Sequence, residues 1–348
     1  MNLPPPFDSE LKVLIPTAGD APPAAGEGRQ SRGPLSEKAF LKLRDRLVIE
    51  YVLDFLRECG FGRVAVVAHE RNLARIPARH AFMPVPQPAG AGFFDNLLAG
   101  YAELSLAPDE PVLIVFGDHP LNSRAALHLF LARCAELLDE ADFFHALALR
   151  QSYREYAPWF RRTSVHMREM SGRASGLTLA IPSRLHGVSK LQALYRVRKL
   201  ERPGAFLHLL FHLMRWLGPD APRSVLDSLL MYLAKEAEKA GRAAWPGAPA
   251  ARAIESLLSA PLSVARMHRY AARVLGAERG VRFIPVPHGG IAIDVDFSEE
   301  LSLLDRHWQA LVEIGAKQDA AIQEGGAATA PGASRMSRMP SSKVTRPV

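Results

Sequence analysis

Three short runs in the first 120 residues are apolar on consecutive positions rather than alternate ones: "LKVLIP" (11–16), "RVAVVAH" (63–69) and "PVLIVFGD" (111–118). A strand with no polar face has to be covered on both sides. Between and after these runs the apolar residues recur with helical spacing, in "LVIEYVLDFLRECG" (47–60, with a glycine at its end), "GFFDNLLAGYAEL" (92–104) and "SRAALHLFLARCAELL" (123–138), where Ser123 is placed to cap the helix. Strand alternating with helix predicts an α/β fold: a three-layer, doubly wound, mostly parallel sheet.

The later chain changes texture. "DFFHALALRQ" (142–151) fits one more strand, "TSVHMREM" (163–170) and "ASGLTLAIP" (174–182) a hairpin pair, and residues 189–240 are mostly helical in pattern. "VRFIPVPHGGIAIDVDFSEELSLLDRHWQALVEIG" then returns to strand, turn, short strand and helix. One domain over 1–318 with a helical insertion at about 189–260 explains this order better than two sequential domains. The Gly-, Ala-, Ser- and Pro-rich segment 319–348 is expected to be a disordered tail.

Charge and cysteine content narrow the function classes. The net charge is +7, but residues 321–348 hold four basic residues and one acid, so +3 lies in the tail and +4 (7 minus 3) in the body. That is too mild and too dispersed for a nucleic-acid face, and it suits an anionic small substrate. Cys59 and Cys134 both fall within amphipathic helical patterns, as buried reduced thiols would. No run is long and apolar enough to span a membrane and no leader precedes the first strand, so a cytoplasmic protein is expected. The dense apolar stretch 204–218 reads as a core helix, with weak peripheral membrane contact as the lesser alternative.

Three stretches can carry chemistry. After the first strand comes "IPTAGDAPPAAGEGRQSRGPLSEKAF", a Gly-rich loop with Gly19, Arg29, Arg32 and finally Lys38, able to lay backbone N–H groups and cations around phosphates or to be simply a solvated loop. Gly117-Asp118 ends the third apolar run, at the edge where open α/β sheets bind ligands. Its carboxylate could hold Mg²⁺ or could cap a turn; with Ser123 already placed as the helix cap, the first use is favoured. In "GIAIDVDFSEEL", Asp294 and Asp296 alternate with apolar residues, which on a short strand puts both on one face, and Ser298 is placed to cap the next helix. Either acid could complete a metal site with Asp118, or both could face solvent on an edge strand.

These stretches together resemble the MobA-like nucleotidyltransferases. "SEKAFLKLRDRLVIEYVLDFLRECGFGRVAVVA" is similar to that family's Lys, helix and second strand, "FGDHPL" to its Gly-Asp-x-Pro-Leu motif, and "IDVDFSEEL" to its closing Asp-x-Asp element. The likeness spans roughly 11–200 and 281–308, in order. It implies a GT-A-like, nucleotide-diphospho-sugar transferase fold. The implied reaction is Mg²⁺-dependent transfer of a nucleoside monophosphate from an NTP to a phosphorylated small-molecule acceptor, with release of pyrophosphate. By the resemblance, Gly19, Arg29, Arg32, Lys38 and Asn96 would bind nucleotide, Lys38 and Asp118 would be catalytic, and Asp118 with Asp296 would hold the metal. Arg161 and Arg162 in "YAPWFRRTSV", and Arg198 and Lys199 in "LYRVRKLERPG", are the implied acceptor-phosphate contacts. Two departures stand out: the phosphate loop is several residues longer than the family pattern, and "SGL" (175–177) lacks the Asn that follows two glycines in a sub-branch. A catalytically inactive nucleotide-binding protein of the same fold, or a GT-A glycosyltransferase using an NDP-sugar, are the alternatives these departures leave.

Overall fold

The computed structural model describes residues 3–17, 37–160, 164–187, 189–190, 192, 215–218, 222–224, 226–227 and 262–325. The chain opens with β1 (Lys12–Pro16), a small ribbon of β2 (Lys42–Leu43) and β3 (Arg46–Leu47), and α1 (Val48–Glu58). There follow β4 (Val64–Ala68), α2 (Glu70–Leu73), β5 (Met83–Pro86), α3 (Phe93–Glu103), β6 (Val112–Val115) and α4 (Arg124–Glu136). Then come β7 (Phe143–Leu149), α5 (Arg150–Tyr153), β8 (Val165–His166) and β9 (Ser171–Ala180), and finally α6 (Val264–Leu275), β10 (Val281–Val286) and α7 (Ser298–Glu324).

The main sheet runs β10-β7-β9-β6-β1-β4-β5, with β8 hydrogen-bonded to β9. The β1–β4, β1–β6, β4–β5 and β10–β7 pairs are parallel, and β9 runs antiparallel to both β6 and β7. The mostly parallel α/β sheet is therefore as expected, with one reversed strand in its middle. The hairpin expected over 163–182 is present, but its first strand is only two residues, because β9 spends its ten residues bridging β6 to β7.

Period-two alternation divides each strand between two cores. Val13, Ile15, Val64, Val66, Leu113 and Val115 pack with Val52 and Leu56 of α1, Leu127 and Phe130 of α4, and Leu304 and Leu311 of α7. Leu14, Ala65, Val67 and Ile114 pack on the other face with Leu97 of α3. Both faces are covered, which is why these strands carry no polar side. α3 lies especially close: a Cβ on Gly100 would sit 2.9 Å from Leu14 Cδ2 and 3.0 Å from Val67 Cγ2. Gly60 ends α1 at φ +88°, as its position after the helical pattern requires. Cys59 and Cys134 are buried free thiols, and burial pushes Cys59 up to about 12.

Three expectations are corrected here. The segment 293–297 is not a strand; a single 3-10 turn at Gly290–Ala292 leads into extended chain, held from outside by side chains rather than by a ladder. Ser298 does not cap α7: Phe297 occupies that position, and the Glu300 carboxylate accepts from the Phe297 and Asp296 amides at 3.2 and 2.9 Å. The boundary expected at 318 falls inside α7, where buried Gln318 accepts from Gly289 N (2.7 Å) and donates to Ser152 O (2.9 Å). Almost all of the proposed insertion 189–260, including 204–214 of the apolar stretch, and residues 326–348 lie outside the described residues. Among the described residues no helix is long and apolar enough to cross a membrane.

Candidate active site

The C-terminal ends of β1 and β6 open onto one edge of the sheet, and the chemistry-bearing residues collect there. β6 ends at Val115, and the chain turns through Phe116 and Gly117 to Asp118. Gly117 is needed for close approach: a Cβ there would lie 3.2 Å from both Ala39 Cβ and Ile15 Cγ2. That contact seats the single turn Lys38–Phe40, whose Ala39 and Phe40 are buried, against the end of β6. Arg75 fastens the turn by donating to Phe40 O at 2.7 Å, and the Glu37–Arg71 ion pair holds its start.

Lys38, placed in this way, forms an ion pair with Asp296. Asp296 is held in turn by the Glu300 cap and by Val295 N, which donates to Asp118 O at 3.2 Å. Asp294 pairs with Arg173 Nη2 at 3.0 Å, and the same guanidinium donates through Nε to Ala292 O at 3.1 Å. Because β9 runs against its neighbours, its N-terminal end, with Arg173, reaches the edge formed by the C-terminal ends of the parallel strands. Lys38, Asp118 and Asp296, three of the residues singled out from sequence, thus come together from positions up to 258 apart.

The electrostatics of the group are uneven. Burial would lower the Lys38 pKa, but the hydrogen bond and charge of Asp296, aided by Asp118 and Asp294, overcome it and raise it. Burial pushes the Asp118 carboxyl up, and Asp294 and Asp296 add to this against the opposing pull of His119 and Lys38. Among the described residues the Asp118 carboxylate, 22% exposed, receives no hydrogen bond; the imidazole nitrogen His119 Nε2 lies 3.7 Å from it. It is no helix cap, since Ser123 Oγ accepts from Ala126 N at 3.1 Å and fills that role. A half-buried carboxylate without hydrogen bonds, beside two more carboxylates, fits a hard divalent cation, which prefers oxygen ligands. Among the described residues no three His, Cys, Asp or Glu side chains converge as a preformed metal cage. Such an ion would therefore complete its shell with water and substrate oxygens.

Asn96, expected to bind nucleotide, lies beneath the end of β1. Its side chain is fully buried and donates to Thr17 O at 3.0 Å, fixing the exit of β1 where the loop begins. Gly19, Arg29, Arg32, Arg161, Arg162, Arg198 and Lys199 lie outside the described residues. Arg173, Glu300 and His119 are site residues that sequence reasoning passed over. Arg173 sits unremarked among small residues in "SGRASGL", and nothing local marks it as a partner for Asp294.

The architecture is thus a mostly parallel α/β sheet with a lysine and three aspartates gathered over the C-terminal ends of its strands. Residues 23–179 match the family model described as the MobA-like NTP transferase domain. Over that stretch, 157 of its 348 residues, the chain is similar to a nucleotidyltransferase domain. Among solved structures it is similar to a hypothetical transferase from Thermus thermophilus, with 22% identity over 84% of this chain and 99% of that one and a TM-score of 0.54, a likeness of fold alone. The 2-C-methyl-D-erythritol 4-phosphate cytidylyltransferase of Thermus thermophilus matches at 15% identity (86% and 99% coverage, TM-score 0.37). The 4-diphosphocytidyl-2C-methyl-D-erythritol synthase from Anaerococcus prevotii matches at 9% (87% and 100%, TM-score 0.38). No curated protein matches the chain.

Proposed function

We propose that the protein transfers a nucleoside monophosphate from an NTP to a phosphorylated small-molecule acceptor in a Mg²⁺-dependent reaction. The acceptor would be the phosphate of a sugar, polyol, lipid precursor or cofactor. An acceptor phosphate oxygen attacks the α-phosphorus, the bridging bond to the β-phosphorus breaks, and pyrophosphate leaves with its electron pair. The observation that carries this reading is the meeting of Lys38, Asp118 and Asp296 at the ends of β1 and β6.

In this scheme Asp118 and Asp296 hold the metal, which when bound neutralises charge on the triphosphate and the departing pyrophosphate. Lys38 exchanges its contact with Asp296 for the triphosphate, leaving that carboxylate free to ligate. Little covalent chemistry falls to the protein, so positioning and charge supply the catalysis. Arg173 keeps Asp294 oriented and Asn96 holds the start of the loop, while Gly19, Arg29 and Arg32 enclose the phosphates. Arg161, Arg162, Arg198 and Lys199 take the acceptor phosphate. The modest positive charge and buried thiols suit such a protein in the cytoplasm, without nucleic-acid partners.

The test is pyrophosphate release with each of the four NTPs, Mg²⁺ and a panel of sugar and polyol phosphates. Release that depends on one NTP and one acceptor, and disappears in Asp118→Asn, is expected. Failure across the panel, together with no thermal shift by any NTP plus Mg²⁺, would refute the reading. Turnover of an NDP-sugar instead would transfer the fold to glycosyl chemistry.

A further inference from the structure

His119 stands between the aspartate and the rest of the sheet and takes no part in the scheme above. Its side chain is 6% exposed. Nδ1 lies 3.0 Å from Ile291 O. A carbonyl oxygen only accepts, so Nδ1 carries the hydrogen, and in the neutral ring Nε2 is left with its lone pair. That nitrogen faces Asp118 Oδ1 at 3.7 Å, too far for a hydrogen bond. The ring has no freedom to turn away. A Cβ on Gly176 would lie 2.8 Å from His119 Cγ, so the β9 backbone closes one side, and Phe116 meets the ring edge-on with centroids 6.0 Å apart.

We propose that His119 Nε2 is a nitrogen ligand of the divalent ion held by Asp118, making this a mixed nitrogen–oxygen site that holds a late first-row ion such as Co²⁺ or Zn²⁺ more tightly than the Mg²⁺ of the reaction, which fills it by abundance. The proposal rests on the metal-dependent reading above. A metal-bound imidazole usually donates its other N–H to a backbone carbonyl or carboxylate, which fixes the tautomer and orients the ring. The Nδ1–H to Ile291 O bond is already that arrangement. Mg²⁺ holds to oxygen and dehydrates reluctantly, whereas imidazole suits the later ions of the series. The other charged groups felt by Asp118 are Lys38, Asp294 and Asp296, none of which supplies a neutral nitrogen.

The experiment uses the full chain with metal alone. Co²⁺ and Mg²⁺ are titrated by calorimetry into the wild type, His119→Asn and Asp118→Asn, and the Co²⁺-loaded wild type is examined by proton NMR. A single solvent-exchangeable proton shifted far outside the diamagnetic range, the Nδ1–H, is expected in the wild type. His119→Asn should lose it and weaken Co²⁺ at least about tenfold while leaving Mg²⁺ nearly unchanged. Absence of the shifted exchangeable proton, or Co²⁺ binding to His119→Asn as to the wild type, overturns the proposal. The wild-type spectrum alone decides the matter if that variant fails to fold. If Asp118→Asn abolishes binding of both ions and His119→Asn changes neither, only this inference falls; if neither ion binds through Asp118, the metal-dependent transfer falls with it.

Discussion

Replacing Asp118 by Asn is expected to abolish nucleotidyl transfer and, at neutral pH, to make the metal-free protein more stable. The side chain is four-fifths buried, receives no hydrogen bond among the described residues, and is raised in pKa by burial and then by Asp294 and Asp296. For a carboxyl whose folded pKa lies above its unfolded value, the native state favours the protonated form. Its ionisation therefore imposes a cost that grows as pH rises from the ordinary carboxylate range through the folded value. Asparagine keeps the shape and removes the charge. Relief of one such functional charge is worth about 0.5–2 kcal/mol. With 2–4 °C per kcal/mol for a domain of about 150–250 residues, a rise near 1 kcal/mol moves Tm by roughly 2–4 °C. Thermal unfolding is followed by circular dichroism in EDTA at pH 7.5 and again near pH 4. The gain should be larger at pH 7.5 and shrink toward the acid side, as wild-type Asp118 takes up its proton. Adding Mg²⁺ and NTP should stabilise the wild type and leave the variant unmoved. A variant that melts below the wild type at pH 7.5 would refute the reasoning and make Asp118 a structural anchor.

Lys38→Met should also abolish transfer but shift stability the other way, by roughly 1 kcal/mol, because it strands Asp296 in a partly buried ion pair. Since the Lys38 pKa is raised, its contribution is fully present below the ordinary lysine value and is lost only as pH climbs through the folded one; melting curves at pH 7 and 9 should show the same loss. Gly100→Ala sets about 1 kcal/mol of improved helix propensity against about 1–3 kcal/mol of overpacking on Leu14 and Val67. A net loss in urea unfolding is expected, whereas a stabilised variant would show that α3 moves freely. Gln318→Ala removes both the partner of the Gly289 amide and that of Ser152 O, and should lower stability by about 1–3 kcal/mol in the same assay.

Much of the fold was readable because it is written in local pattern. β4 and β6 are apolar on every position, and β1 on every position after Lys12, since they are buried on both faces, and Ser123 caps α4 by a contact three residues along the chain. Asp118 could be singled out at a strand end once Ser123 had taken the capping role. The Asp294–Asp296 alternation misled because four or five residues of period-two pattern do not require a ladder; the extended segment is held instead by Glu300 and Arg173. β9 looked like half of a hairpin, and only its neighbours make it the reversed central strand.

The sequence by itself determined the alternation of strand and helix, the two-sided sheet and the residue types able to handle phosphate and metal. These follow from the period of burial and from side-chain chemistry, which neighbouring residues decide. Tertiary structure alone decided that Lys38 meets Asp296, that Arg173 arrives from a reversed strand, that Asn96 is locked beneath the loop, and that His119 turns its free nitrogen toward Asp118. Each of these depends on strand order and on the close packing of Gly117 and Gly176, contacts between segments far apart in the chain that no local pattern encodes.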